Sequence, residues 1–146
     1  IDIDIYQTVK RRFRLPSNKM EYVAQYLGLA GKVKHPGMPL WIGCMNGDPD
    51  SWDIMKKYNI QDVILLEGIY RIVLPWIPNH PNHALYEDVA MPVCTKCGSE
   101  NLVKRGYAHT RVQSYQRFKC KDCGGWSAGR KTVITKEKRE NILRGL

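Results

Sequence analysis

Cys94-Thr95-Lys96-Cys97-Gly98 and Cys120-Lys121-Asp122-Cys123-Gly124 are the two stretches on which the reading of this chain turns. Each Cys-x-x-Cys pair is a tight turn that aims two thiolates at one point, and four thiolates satisfy a tetrahedral Zn²⁺. The glycine after each pair suits the positive φ that such a turn usually needs. Between Cys97 and Cys120 lie 22 residues, enough for a β-hairpin and few enough to close over a metal. The spacing predicts a structural zinc site with Cys94, Cys97, Cys120 and Cys123 as ligands; a disulfide pair or unconnected cysteines are the competing readings. A site closed by four thiolates has no open coordination position, so its metal is expected to hold a fold and do no chemistry.

Outward from the cysteines, residues 102–107 are expected as one strand, Thr110 as the turn, and residues 114–120 as the return strand. Residues 135–146 look like a short charged helix. The chain is expected to divide into residues 1–89, a ribbon over 90–131, and a basic helix or tail over 132–146. Charge separates along the same line. Residues 1–89 hold ten Lys/Arg and ten Asp/Glu, whereas residues 90–146 hold thirteen Lys/Arg and four Asp/Glu. A neutral body with a basic, aromatic-rich appendage points to nucleic acid as partner. Of Tyr107, Tyr115, Phe118 and Trp126, about half are expected to pack around the metal, because so small a module needs its apolar side chains. His80, His83 and His109 are expected as loop residues outside the metal shell.

No apolar run approaches the roughly 20 residues that span a bilayer, so no membrane partner is expected. No charged-then-apolar leader opens the sequence. Cys44 is expected as a small buried hydrophobe, and two Cys-x-x-Cys pairs suit a reducing interior. The setting expected is the cytoplasm, or the host-cell interior if the chain is phage-encoded. The chain starts at Ile1, in an Ile-Asp alternation that predicts a strand over residues 1–5. A strand so placed needs partners, and a fragment or processed product is expected.

Residues 6–14 carry the basic cluster Lys10, Arg11, Arg12 and Arg14. Met20, Val23, Ala24 and Leu27 predict a helix that ends at Gly28 or Gly31. Residues 35–39 are expected as a loop, and residues 40–45 as a helical turn or two. Asp48-Pro49-Asp50-Ser51 is a helix-start signal. The pattern over residues 52–74 predicts the longest helix, with Trp52, Met55, Asn59, Val63, Leu66, Ile69 (or Tyr70) and Val73 on its inner face. Gly68 is its soft spot and Pro75 its stop. On that helix Tyr58 and Asp62 stand four apart and so share a face.

The string Tyr58-Asn59-Ile60-Gln61-Asp62-Val63 resembles the third exonuclease motif, Tyr-Asn-x-x-Asp-Val, of the DEDDy branch of the RNase H-like 3′–5′ exonucleases, a group that includes polymerase proofreading domains. Ser17-Asn18-Lys19-Met20-Glu21-Tyr22-Val23-Ala24 with Leu27-Gly28 is similar to the preceding helix there. The likeness spans roughly residues 1–78, and is greatest to phage-type or mobile-element proteins with an appended zinc ribbon. It implies an α/β fold: part of an RNase H-like lobe, mainly helical in this chain, plus a small β zinc ribbon. It further implies that Asp62 is a ligand of a catalytic Mg²⁺ or Mn²⁺ and that Tyr58 holds the attacking water. Two such ions about 4 Å apart can activate water and stabilise a leaving oxygen. The family's first motif (Asp-x-Glu) and second (Asn–aromatic–Asp) are not in this sequence; an upstream segment or a partner chain would have to supply them. Asp2 and Asp4 are expected on a solvent face instead.

The ribbon string Tyr115-Gln116-Arg117-Phe118-Lys119-Cys120 resembles zinc ribbons of some transposases and other DNA-handling proteins. In that setting Arg117, Lys119, Lys121, Arg130 and Lys131 would meet phosphates; Lys104, Arg105, Arg111 and Tyr115 are further expected contacts, and DNA is expected ahead of RNA. Two functions are therefore expected: a metal-dependent 3′–5′ exonuclease or a fragment of one, and, as the alternative, a non-catalytic DNA- or RNA-binding module acting for a partner enzyme.

Overall fold

A computed structural model describes residues 2–32 and 34–145. They form two compact units, a helical one over residues 2–73 and a sheet-bearing one from Leu74 onward. The division falls well before residue 90 for a local reason. The Lys96 ammonium donates to the carbonyl oxygens of Leu74, Pro75 and Ile77 at 3.1, 2.6 and 2.9 Å. The His83 N–H donates to the Thr95 carbonyl at 3.1 Å. The proline-rich stretch is thus tied to the first cysteine turn.

In the helical unit, α1 spans Ile5–Arg12. The strand expected over residues 1–5 is not formed by the described residues, and Ile1 lies outside them. Asp4 caps α1 instead: its Oδ1 accepts from the Gln7 N–H at 2.9 Å. A short alternation yields to a capped helix that buries Thr8 and Val9. Helix α2, Met20–Tyr26, stops at Gly28, whose φ is 73°. The Gly28 N–H reaches Gln25 O and the Leu29 N–H reaches Ala24 O, a Schellman ending. Helix α3, Met38–Met45, starts from Gly37 with Pro39 in its first turn, which shortens the expected loop at 35–39.

Helix α4, Pro49–Val73, is the hub on which α1, α2 and α3 pack. Asp48 caps it by accepting from the Ser51 N–H at 3.0 Å. Its buried residues are Leu65, Ile69 and Val73, packed in a core with Val9, Val23, Ala24 and Leu40. The inner face expected for this helix needs correction from Trp52 to Leu66. Trp52, Val63 and Leu66 are exposed, Val63 at 64%, and Asn59 is exposed too. The stripe that faces inward runs through Tyr58, Asp62, Leu65, Ile69 and Val73. Residues 60–66 are apolar on several sides, so periodicity alone offers two stripes. Close approach at Gly68 helps select one: a Cβ there would sit 3.3 Å from Leu29 Cδ1.

In the second unit, 3₁₀ turns at Leu74–Trp76 and His83–Leu85 precede a three-stranded antiparallel sheet. Strands β1 (Leu102–His109), β2 (Ser114–Cys120) and β3 (Trp126–Thr132) lie in that order. The first two match the expected hairpin, closed by the Thr110 N–H on Gln113 O at 2.8 Å. Strand β3 is an addition to that reading. Gly106, with φ 65°, forms a bulge in which residues 105 and 106 oppose Arg117 alone. Helix α5 covers only Lys136–Glu140, capped by Thr135, and is shorter than the helix expected over 135–146; Leu146 lies outside the described residues. The chain is thus a small mixed one, helices plus an antiparallel sheet, and no helix among the described residues is long and apolar enough to cross a membrane.

Candidate metal centre and nucleic-acid face

Both cysteine turns are built alike. Gly98 and Gly124 sit at φ 72° and 76°, and their N–H groups close the turns onto Cys94 O and Cys120 O at 3.0 and 3.1 Å. Backbone N–H groups also point at sulfur, from Cys123 to Cys120 Sγ at 3.5 Å and from Gly125 to Cys123 Sγ at 3.3 Å. Gly125 was not singled out by spacing, yet a Cβ on it would lie 3.1 Å from Cys123 Sγ. The Asp122 carboxylate accepts from the Ser99 hydroxyl and from Asn101 Nδ2 at 2.5 and 2.9 Å. That pair ties the loop after the first turn to the second.

All four Sγ atoms fall within 4.8 Å of one another. Two pairs run across the two turns, Cys94 to Cys123 at 3.5 Å and Cys97 to Cys120 at 3.7 Å. Zinc–sulfur bonds of about 2.3 Å in a tetrahedron put sulfurs about 3.8 Å apart, so the four residues fit a zinc ion. No two of these sulfurs are bonded to each other in this structure. Burial pushes the Cys97 thiol up, and burial with crowding by Cys97 and Cys94 pushes Cys123 up as well. Burial also opposes the Cys120 thiolate, but the N–H groups of Cys123 and Asp122 outweigh it and bring that thiol down to about 7. Four thiols this close cannot all ionise without a cation between them, and a divalent metal supplies it. His80, His83 and His109 do not join the cluster; His109 closes β1 and faces the Ser114 hydroxyl.

The strands carry Lys104, Arg105, Arg117, Lys119, Arg130 and Lys131 and no Asp or Glu. These cations do not share one face. Register puts Tyr115, Arg117 and Lys119 on the same side as Trp126, Ala128 and Thr132, while Lys104 pairs with Phe118 on the other side. Arg130 and Lys131 line a cavity of about 450 Å³ whose walls include Leu102, Phe118, Met91 and Val93. Arg111 lies in the turn after β1, and Lys121 is exposed in the second cysteine turn. Of the four aromatics, Tyr107 and Trp126 are exposed, and Tyr115 and Phe118 are partly covered. Lys96 donates to three carbonyls within the chain, as described.

Tyr58 and Asp62 do share a face of α4, and the structure adds a third residue that spacing could not reveal. Lys32 Nζ lies 3.1 Å from Asp62 Oδ2 and 3.4 Å from the Tyr58 hydroxyl. Burial works against that ammonium, but its bonds to Asp62 and Tyr58 prevail and raise its pKa above the ordinary lysine value. Lys32 is 30 positions from Asp62, too far for any local periodicity to join them. Asp62 Oδ1 is buried and accepts no hydrogen bond. Beside the trio, Glu21, Lys34 and His35 line an open depression with Lys32 and Tyr58, and the His35 ring stands edge-on to Tyr58 at 4.7 Å. A hard dication asks for several oxygen ligands. Among the described residues the four cysteines are the only group of three or more Cys, His, Asp or Glu close enough to share an ion. The residues present therefore do not by themselves make a Mg²⁺ or Mn²⁺ site.

No family model matches this chain, and neither curated proteins nor solved structures give a match.

Proposed function

We propose that this chain is the nucleic-acid-handling part of a 3′–5′ exonuclease of the RNase H-like kind, with its zinc ribbon as the grip on DNA. The observation that carries the catalytic half is Asp62. Its Oδ1 is buried without a hydrogen bond, beside Tyr58 on one helix face, and a buried carboxylate oxygen left unpaired is costly unless a ligand uses it. Further oxygen ligands would have to come from outside the described residues. Within this chain, Lys32 holds the Asp62 carboxylate through Oδ2 and reaches the Tyr58 hydroxyl as well. The grip rests on strands with six cations and no carboxylate, a surface that favours a polyanion.

The second reading, a binding module without chemistry, is favoured by the Lys32 ammonium, which already neutralises Asp62 at 3.1 Å. One experiment separates them. In the full-length protein, Asp62→Ala is expected to abolish Mg²⁺-dependent degradation of single-stranded DNA while leaving zinc content and DNA affinity unchanged. Undiminished degradation would remove Asp62 from the chemistry and leave the binding module.

A further inference from the structure

We infer that the Arg117–Trp126 side of the ribbon sheet is a stacking platform for one unpaired base of a single strand. This deepens the nucleic-acid reading above by naming the form of the polymer. The platform begins with register. Arg117 pairs with Ala128 and Lys119 with Trp126 across β2 and β3, so all four project to one side. The Arg117 guanidinium carbon lies 4.2 Å from the centre of the Trp126 ring, and Lys119 Nζ lies 5.9 Å from it. Cation–π attraction fixes the orientation of the indole before any ligand arrives.

Trp126 is nonetheless 43% exposed. Trp76 of the same unit is exposed as well, at 47%, but only Trp126 stands on the sheet among cations, whereas the sheet's other side partly covers Phe118, in the wall of the cavity. The small Ala128 beside the ring leaves the platform open. Asp122, the acidic residue of the second cysteine turn, is held by Ser99 and Asn101. What remains is a guanidinium stacked over an indole, with a second cation close by. A duplex hides the faces of its bases and would need only the cations. An unpaired base offers a π face to the guanidinium or the indole, and its phosphates suit Arg117 and Lys119.

The test uses the full chain loaded with zinc and a labelled short oligothymidylate, followed by fluorescence anisotropy against salt. Trp126→Ala is expected to weaken single-strand binding about 5- to 150-fold, the worth of one stacked base, with the salt slope unchanged. Lys119→Ala is expected to reduce the slope by about 0.7, one phosphate contact on a single strand. A duplex of the same length should lose far less from Trp126→Ala. If Trp126→Ala lowers zinc content, Ala128→Glu takes its place, since it sets a carboxylate on the platform without touching ring or metal; it should cut single-strand affinity roughly tenfold. Equal losses on duplex and single strand, or none on either, would overturn the platform while salt-dependent binding kept the nucleic-acid reading alive. Polyglutamate binding with the same Trp126 dependence would point to an acidic protein partner and also overturn it. Absence of salt-dependent binding to any nucleic acid would sink both readings together.

Discussion

The helical unit buries eight hydrophobic residues, among them Val9, Leu40, Ile69 and Val73, whereas the described part of the other unit buries four, and two of those are Cys94 and Cys120. Charge follows the same division. Residues 1–73 hold ten Lys/Arg against eight Asp/Glu, and residues 74–146 hold thirteen against six. The first unit is a packed core with a nearly balanced surface. The described part of the second has hardly any core beyond its cysteine cluster, and its sequence is biased to one sign. Apolar burial sustains one fold; in the other, the four-cysteine cluster, which could hold a metal ion, stands where a core would be.

The largest effect should come from attacking the metal set. Cys94→Ser, or a strong chelator, is expected to unfold residues 102–132, because binding of structural zinc can contribute on the order of 10 kcal/mol or more. Amide dispersion of those residues should collapse in NMR spectra while helical ellipticity persists. A metal-free sheet that kept its dispersion would break the contrast. Next, Ile69→Ala removes a side chain that is 2% exposed and should cost the helical unit about 2–5 kcal/mol in urea titration. Zinc stoichiometry should not change; a matching loss of zinc would mean the two units do not stand apart energetically.

The smallest effect concerns Asp48. The Ser51 hydroxyl and N–H hold its carboxyl below the ordinary aspartate range. A depressed carboxyl stabilises the folded state above the unfolded pKa of about 3.9, and that contribution fades as pH falls through the folded value. Asp48→Ala should therefore lower the thermal midpoint slightly at neutral pH and match the parent in strong acid. A difference that grew on acidification would refute the capping role.

How much could be seen in advance follows from the range of each force. Local signals came through: the cysteine turns with Gly98 and Gly124, the Gly28 stop, the Asp48 start and the β1–β2 hairpin all depend on neighbours within a few positions. The opening strand failed because Asp4 serves a helix start as readily as an alternation. The inner stripe of α4 was misplaced because its choice rests partly on Leu29 meeting Gly68, a contact without a sequence period. Strand β3 was missed since Trp126-Ser127-Ala128-Gly129-Arg130-Lys131-Thr132 is half polar and contains glycine, and pairing with β2 overrides its weak propensity. The Tyr58–Asp62 face was legible at helical spacing, whereas Lys32 was not.

The three carbonyls around Lys96 set where this protein can be cut. A ribbon excised at residue 90 would strand an ammonium inside the first cysteine turn with its acceptors deleted, and would strip the Thr95 carbonyl of its donor. Excision ahead of Leu74 keeps both. The seemingly loose proline stretch is in this sense the foundation of the finger, and shortened versions made for crystals or spectroscopy should begin there.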